Sequence, residues 1–165
     1  MDEMYSWAAD YIGIPFVSGG RDRTGLDCYG LLRLVMAEQY GYQLPLLDGG
    51  YDNALNIYDT SPLFCQQIPI LAAEKIAEPQ ESAVALLEMR QLPCHIGIWC
   101  GGGCILHARS GVGVVAEKID SRRLPGRIVG WYRVSESYRT AEPVQPGAPG
   151  VGVREPEYSP DSRKN

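Results

Sequence analysis

The chain has 165 residues, 45% of them hydrophobic and 21% charged, which suits one globular domain with its own core. With 15 basic and 20 acidic residues the formal net charge is −5, and no stretch concentrates Lys and Arg, so a nucleic-acid partner is not expected. No apolar run approaches the ~18 residues that span a bilayer, so membrane insertion is not expected either.

The chain opens on Met1-Asp2-Glu3-Met4, which has neither the basic nor the apolar region of a secretory signal. Its 5 cysteines have no framework-like spacing, and reduced thiols made in a cytoplasm are expected. Met4, Trp7, Ala8, Tyr11 and Ile12 recur at helical spacing and predict a first helix. Gly13 stops it and Pro15 keeps the chain extended. Residues 18–26 (SGGRDRTGL) read as a Gly-rich loop. Asp27 can cap a second helix from about Cys28 to Tyr40, whose apolar side is Leu31, Leu32, Leu34, Val35 and Met36; Gly41 ends it. Beyond a turn at Asp48-Gly49-Gly50, residues 51–67 predict a weaker third helix.

After residue 80 the pattern changes to short runs punctuated by Gly and Pro. Residues 82–88, 94–100, 103–108, 112–118 and 127–134 read as about five strands. Helices followed by an antiparallel sheet make an α+β domain, here residues 1–138. Residues 139–165 hold Pro143, Pro146, Pro149, Pro156 and Pro160 and little to bury. They predict a flexible tail or an arm that docks on a partner.

Cys28 opens a helix, where unpaired N–H groups and the positive end of the dipole favour a thiolate. Gly30, two residues on, lets a backbone or a substrate come close. The chain's only 2 histidines, His95 and His107, flank Gly101-Gly102-Gly103, which reads as a hairpin loop. A three-residue loop pairs Cys100 with Cys104 and sets His107 opposite Gly97. Both histidines then project from one face as diagonal neighbours, roughly 7–8 Å apart at the backbone. An imidazole oriented by a second imidazole is the base that a cysteine nucleophile needs. Zinc competes, because Cys94, His95, Cys100, Cys104 and His107 are all ligand types. Alternation, however, puts the even-numbered cysteines on the face opposite the histidines, so neither metal nor cofactor is expected.

These residues resemble the NlpC-type cell-wall peptidases, papain-like cysteine peptidases of bacteria and their phages. The likeness runs through residues 9–16 (ADYIGIPF), Gly19-Gly20 and Asp27-Cys28-Tyr29-Gly30-Leu31. It resumes at His95-Ile96-Gly97-Ile98-Trp99, Ile105-Leu106-His107-Ala108 and Gly130-Trp131-Tyr132-Arg133. The aromatic Tyr29 after Asp-Cys, the Leu31–Val35 stretch and Leu44-Pro45 look most like the branch encoded beside phage tail genes. The resemblance implies a papain-like fold, Cys28 as nucleophile, His95 as general base and His107 as its orienter. It implies hydrolysis of peptidoglycan stem peptides, typically after γ-D-glutamate, at the cell wall, in the setting of a phage tail. Asp27 and Tyr29 beside the nucleophile, and Arg21, Arg23 and Arg109, are the candidate substrate contacts; the arginines suit free stem carboxylates. Phe16 stands where the family usually has Tyr, Tyr29 where many bacterial members have Ser, and Pro79-Gln80-Glu81-Ser82 where Pro-Gly-Asp is usual. Two other readings stay open. One is a tail-tip structural protein that retains the fold and docks other tail proteins through residues 139–165. The other is a different thiol acyl transfer on the same fold, which an apolar pocket would favour.

Overall fold

The computed structural model describes residues 3–46, 54 and 71–140. Met4 bridges Gly101, and the Tyr5 amide donates to the Cys100 carbonyl at 2.7 Å, so the chain enters extended along the later hairpin. That pairing is incompatible with a helix from Met4. The expected first helix is instead a short 3₁₀ segment, Ser6–Asp10. Three residues per turn bring Ala8, Tyr11 and Ile14 to one buried face, whereas Met4 and Ile12 are exposed. The 18–26 loop contains a small hairpin, β1 (Arg21–Asp22) with β2 (Gly25–Leu26).

The helix α1 spans Cys28–Tyr40, as its capping and apolar pattern predict. The Asp27 side chain accepts from the Gly30 amide at the start. Gly41 ends it in the left-handed region (φ 73°), and the Tyr42 amide turns back to the Met36 carbonyl. The expected third helix and the Asp48-Gly49-Gly50 turn lie outside the described residues, apart from Ala54, which is in a turn.

All five expected strands form, with a sixth that the sequence pattern conceals. They are β3 (Ala72–Ile76), β4 (Val84–Met89), β5 (Leu92–Trp99), β6 (Cys104–Arg109), β7 (Gly113–Lys118) and β8 (Arg127–Val134). Every pairing is antiparallel, and the order across the sheet is β3-β8-β4-β5-β6-β7. The strand β3 reads AAEKI, a helix-favouring composition. Pairing with the edge of β8 overrides that preference, and the charged Glu74 and Lys75 suit an edge position. Leu31, Leu32, Val35 and Met36 of α1 share one core with Val84, Leu86, Ile96, Ile98 and Leu106. Ala85, Leu87 and Ile105 form a second cluster with Leu124, Ile128 and Trp131. The helix on an antiparallel sheet is the α+β, papain-like arrangement expected.

Backbone contacts continue through residues 139 and 140. Arg139 bridges Tyr42, the Thr140 amide donates to the Gly41 carbonyl at 3.0 Å, and the Arg139 guanidinium donates to Tyr42 Oη at 2.8 Å. Residues 141–165 lie outside the described residues. Among the described residues, no helix is long and apolar enough to cross a membrane.

Candidate active site

Cys28 is the first residue of α1 and is held there by a tightly bonded loop. Asp27, wholly buried, accepts from the Gly30 amide (2.8 Å) and the Gly19 amide (2.8 Å), and pairs with Arg21 Nη1 at 2.9 Å. Arg21 also lies over the Tyr29 ring, 5.5 Å from its centroid. The Tyr29 hydroxyl donates to the Pro45 carbonyl at 2.6 Å, which joins the aromatic after Asp-Cys to the downstream Leu-Pro step. A Cβ at Gly30 would strike the Gly20 carbonyl, so this glycine is required by a crossing backbone rather than by a substrate. Asp27, Tyr29 and Arg21 therefore act as supports of the Cys28 turn and do not line the cleft. Arg23 is further removed: it pairs with Glu38 at 2.6 Å toward the far end of α1 and lies over the Tyr11 ring. The local geometry that caps the helix thus engages Asp27, Arg21 and Tyr29 with one another and with the neighbouring backbone.

The hairpin forms in the expected register, with Ile98 opposite Leu106 and Trp99 opposite Ile105. Gly101, Gly102 and Gly103 all take positive φ, which is what a reversal this tight requires. The two histidines meet: His95 Nε2 lies 3.0 Å from His107 Nδ1, with the rings edge to face at 83°. A Cβ at Gly97 would strike the Ile105 side chain. His107 Nε2 lies 3.0 Å from Glu117 Oε2, and Ser121 Oγ donates to Glu117 Oε1 at 2.9 Å. A chain of four polar side chains thus runs from β5 through β6 and β7 into the loop beyond.

Cys28 and His95 line one cleft of about 340 Å³. Phe16, Met89, Ala108 and Pro125 make its apolar walls; Arg109, Ser110 and Arg123 supply polar edges. Of the three arginines singled out in the sequence, only Arg109 reaches it. Burial pushes the Cys28 thiol up to about 12, and Asp27 adds to the rise; the amides of Ile96 and Tyr29 oppose it without prevailing. A helix N-terminus favours the anion; here dehydration and a neighbouring carboxylate work against it. Burial, reinforced by His107, pushes His95 down to about 3. Burial also lowers His107, against the pull of Glu117. Burial alone would raise the Glu117 carboxyl, but hydrogen bonds from Ser121 and His107 hold it below its usual range. The resting site is therefore a neutral thiol beside neutral imidazoles, and no hydrogen bond joins Cys28 to His95 among the described residues.

Glu117, Ser121 and Arg123 escaped the sequence reading. Glu117 was findable: in the β6–β7 pairing it lies opposite Ile105, two residues from His107 and on the same face. Arg123 sits in the β7–β8 loop, and no local signal marks it. Cys65 lies outside the described residues; Cys94, Cys100 and Cys104 are free thiols. Among the described residues no three His, Cys, Asp or Glu side chains are grouped to hold a metal ion.

The sequence profile described as the NlpC/P60 family matches residues 13–133. Among solved structures, an NlpC/P60 family protein from Bacillus cereus ATCC 10987 is similar at 16% identity and TM-score 0.56, over 81% of this chain and 38% of its own. A lipoprotein-like NLP/P60 protein from Staphylococcus aureus subsp. aureus Mu50 is similar at 23% identity and TM-score 0.52, over 77% and 38%. The NlpC/p60 domain of the peptidoglycan hydrolase SagA is 26% identical over 68% of this chain and 83% of its own, with TM-score 0.46. This chain thus spans 38% of the length of the Bacillus and Staphylococcus proteins. No curated protein matches it.

Proposed function

The chain belongs to the NlpC/P60 family, and on that premise we propose that it is a cysteine peptidase hydrolysing the peptide stems of bacterial peptidoglycan. The observation that carries this reading is the 3.0 Å contact between His95 Nε2 and His107 Nδ1 beside a cleft that Cys28 shares. A scaffold has no need of a buried imidazole pair next to a thiol.

In this reading the neutral resting pair makes proton transfer part of the attack. His95 Nδ1 takes the proton from Cys28 as Sγ bonds to the carbonyl carbon. The Cys28 backbone N–H, in the first turn of α1 and without an acceptor within the helix, helps hold the oxyanion. His95 then protonates the leaving amine as the C–N bond breaks. Water adds to the thioester and releases the acyl group, and the proton returns to the thiolate.

The finer assignment is a bond between γ-D-glutamate and a diamino acid. Arg109 and Arg123 at the cleft edge support it, since such stems carry free carboxylates. The phage-tail setting, with residues 139–165 as a docking arm, is supported by the Tyr29 and Leu44-Pro45 pattern. The apolar walls favour one second reading, thiol acyl transfer to an acceptor other than water.

Purified protein incubated with sacculi, followed by mass spectrometry of the soluble products, tests the reading. Release of stem fragments by the parent and none by Cys28→Ala is the expected outcome. Intact sacculi after treatment with the parent would end the peptidase assignment.

A further inference from the structure

A carboxylate only accepts hydrogen bonds, so a ring nitrogen held against one must carry the hydrogen. Glu117 Oε2 lies 3.0 Å from His107 Nε2. Its other oxygen accepts from Ser121 Oγ at 2.9 Å, while the Arg123 amide donates to the same Ser121 Oγ at 3.1 Å. Ser121 is thereby committed as a donor to the carboxylate, and the carboxylate is fixed in place. His107 Nε2–H donates to Glu117, which leaves Nδ1 of the neutral ring as an acceptor. That Nδ1 is 3.0 Å from His95 Nε2, so His95 Nε2–H donates in turn and His95 Nδ1 keeps its lone pair.

We infer that Glu117 is a positioning residue that sets the tautomers of both histidines, so that His95 presents an unprotonated Nδ1 to Cys28. The inference rests on the peptidase reading only for the identity of the thiol nucleophile; the order of hydrogens along the chain follows from the contacts themselves. The reverse order is what Glu117 prevents. With no anionic acceptor, His107 can hold its hydrogen on Nδ1 and donate it to His95 Nε2. His95 then carries hydrogen on Nδ1 and cannot accept the thiol proton. Ser121 sharpens the selection: in Glu117→Gln the amide oxygen is drawn to the Ser121 hydroxyl, which turns the amide NH₂ toward His107 Nε2 and imposes the reverse order.

Histidine side-chain nitrogen NMR on the full-length protein reads this directly, because the chain has 2 histidines and His107→Asn assigns them. The parent should show hydrogen on Nε2 of both rings. Glu117→Gln should move it to Nδ1 of both, and Glu117→Leu should give a mixture. Alkylation of Cys28 by iodoacetamide at neutral pH should slow about tenfold in Glu117→Gln, a modest part of the ~10²–10⁴-fold that a positioned base contributes. An unprotonated His95 Nδ1 in both variants overturns the inference, as does an alkylation rate within about twofold of the parent when the tautomers invert. Neither measurement uses peptidoglycan, so a protein that leaves sacculi intact yet shows these shifts loses the peptidase reading and keeps this one.

Discussion

Cys28 keeps only 8% of its surface exposed, and its thiol is neutral at rest, so its reactivity depends on the base beside it rather than on a standing charge. His95→Ala should therefore approach the activity loss of Cys28→Ala. His107→Asn should be milder, because an amide oxygen still accepts from His95 Nε2–H. Rates on a fluorogenic stem peptide decide it, and equal losses at the two histidines would remove the orienter role. The arginines divide differently from their sequence positions. Arg21 and Arg23 precede Cys28 closely, yet they are bonded to Asp27 and Glu38, while Arg109 and Arg123 face the cleft. Arg123→Gln should raise KM for a stem with a free carboxylate about tenfold, in line with the ~1.5–3 kcal/mol of a charge-assisted hydrogen bond, and change kcat less. The effect should shrink on an amidated stem. Arg21 is better tested for stability than for binding.

At the level of elements, the start of α1 and the β5–β6 hairpin do most to build the site. Asp27 is wholly buried and holds two amides and a guanidinium, and Arg21 has 16% of its side chain exposed. Asp27→Asn can still cap Gly30 but removes the charge that pairs with Arg21. Breaking a fully buried pair costs ~3–5 kcal/mol, and the partial exposure of Arg21 brings the expected loss to about 2–3 kcal/mol. Urea unfolding would measure it; a midpoint equal to the parent's would mean that the charge of Asp27 contributes nothing. The Asp-Cys step and the apolar helix behind it were legible in the sequence because capping and helical period act locally. The first 3₁₀ segment was not, since its fate turned on the Tyr5 amide pairing with Cys100 far along the chain. The strand β3 was hidden for the same reason: its partner β8 lies more than fifty residues away, and only that partner can turn AAEKI into a strand.

Across the whole molecule, two buried histidines make folding sensitive to acid. His95 titrates near 6.5 in an unfolded chain and at about 3 in the fold, so between these values the unfolded state binds a proton that the fold refuses. Stability from this group is complete above pH 6.5 and declines as pH falls toward 3. His107 is shifted in the same direction. Thermal midpoints followed over this range should fall more steeply for the parent than for His95→Gln, which has one such group fewer. Parallel curves would show that His95 accepts its proton in the folded state at little cost.

Residue spacing alone determined the helix behind Cys28, five of the six strands of the main sheet, the hairpin register and the meeting of His95 with His107, because each follows from a period, a cap or a short turn. Only the tertiary structure decided which neighbours of Cys28 are supports and which face the cleft. Those outcomes depend on crossings such as Gly20 over Gly30 and Glu38 beside Arg23. It alone also decided the charge of the site: a helix start favours a thiolate, but burial and Asp27 work against it, and burial is a property of the whole fold.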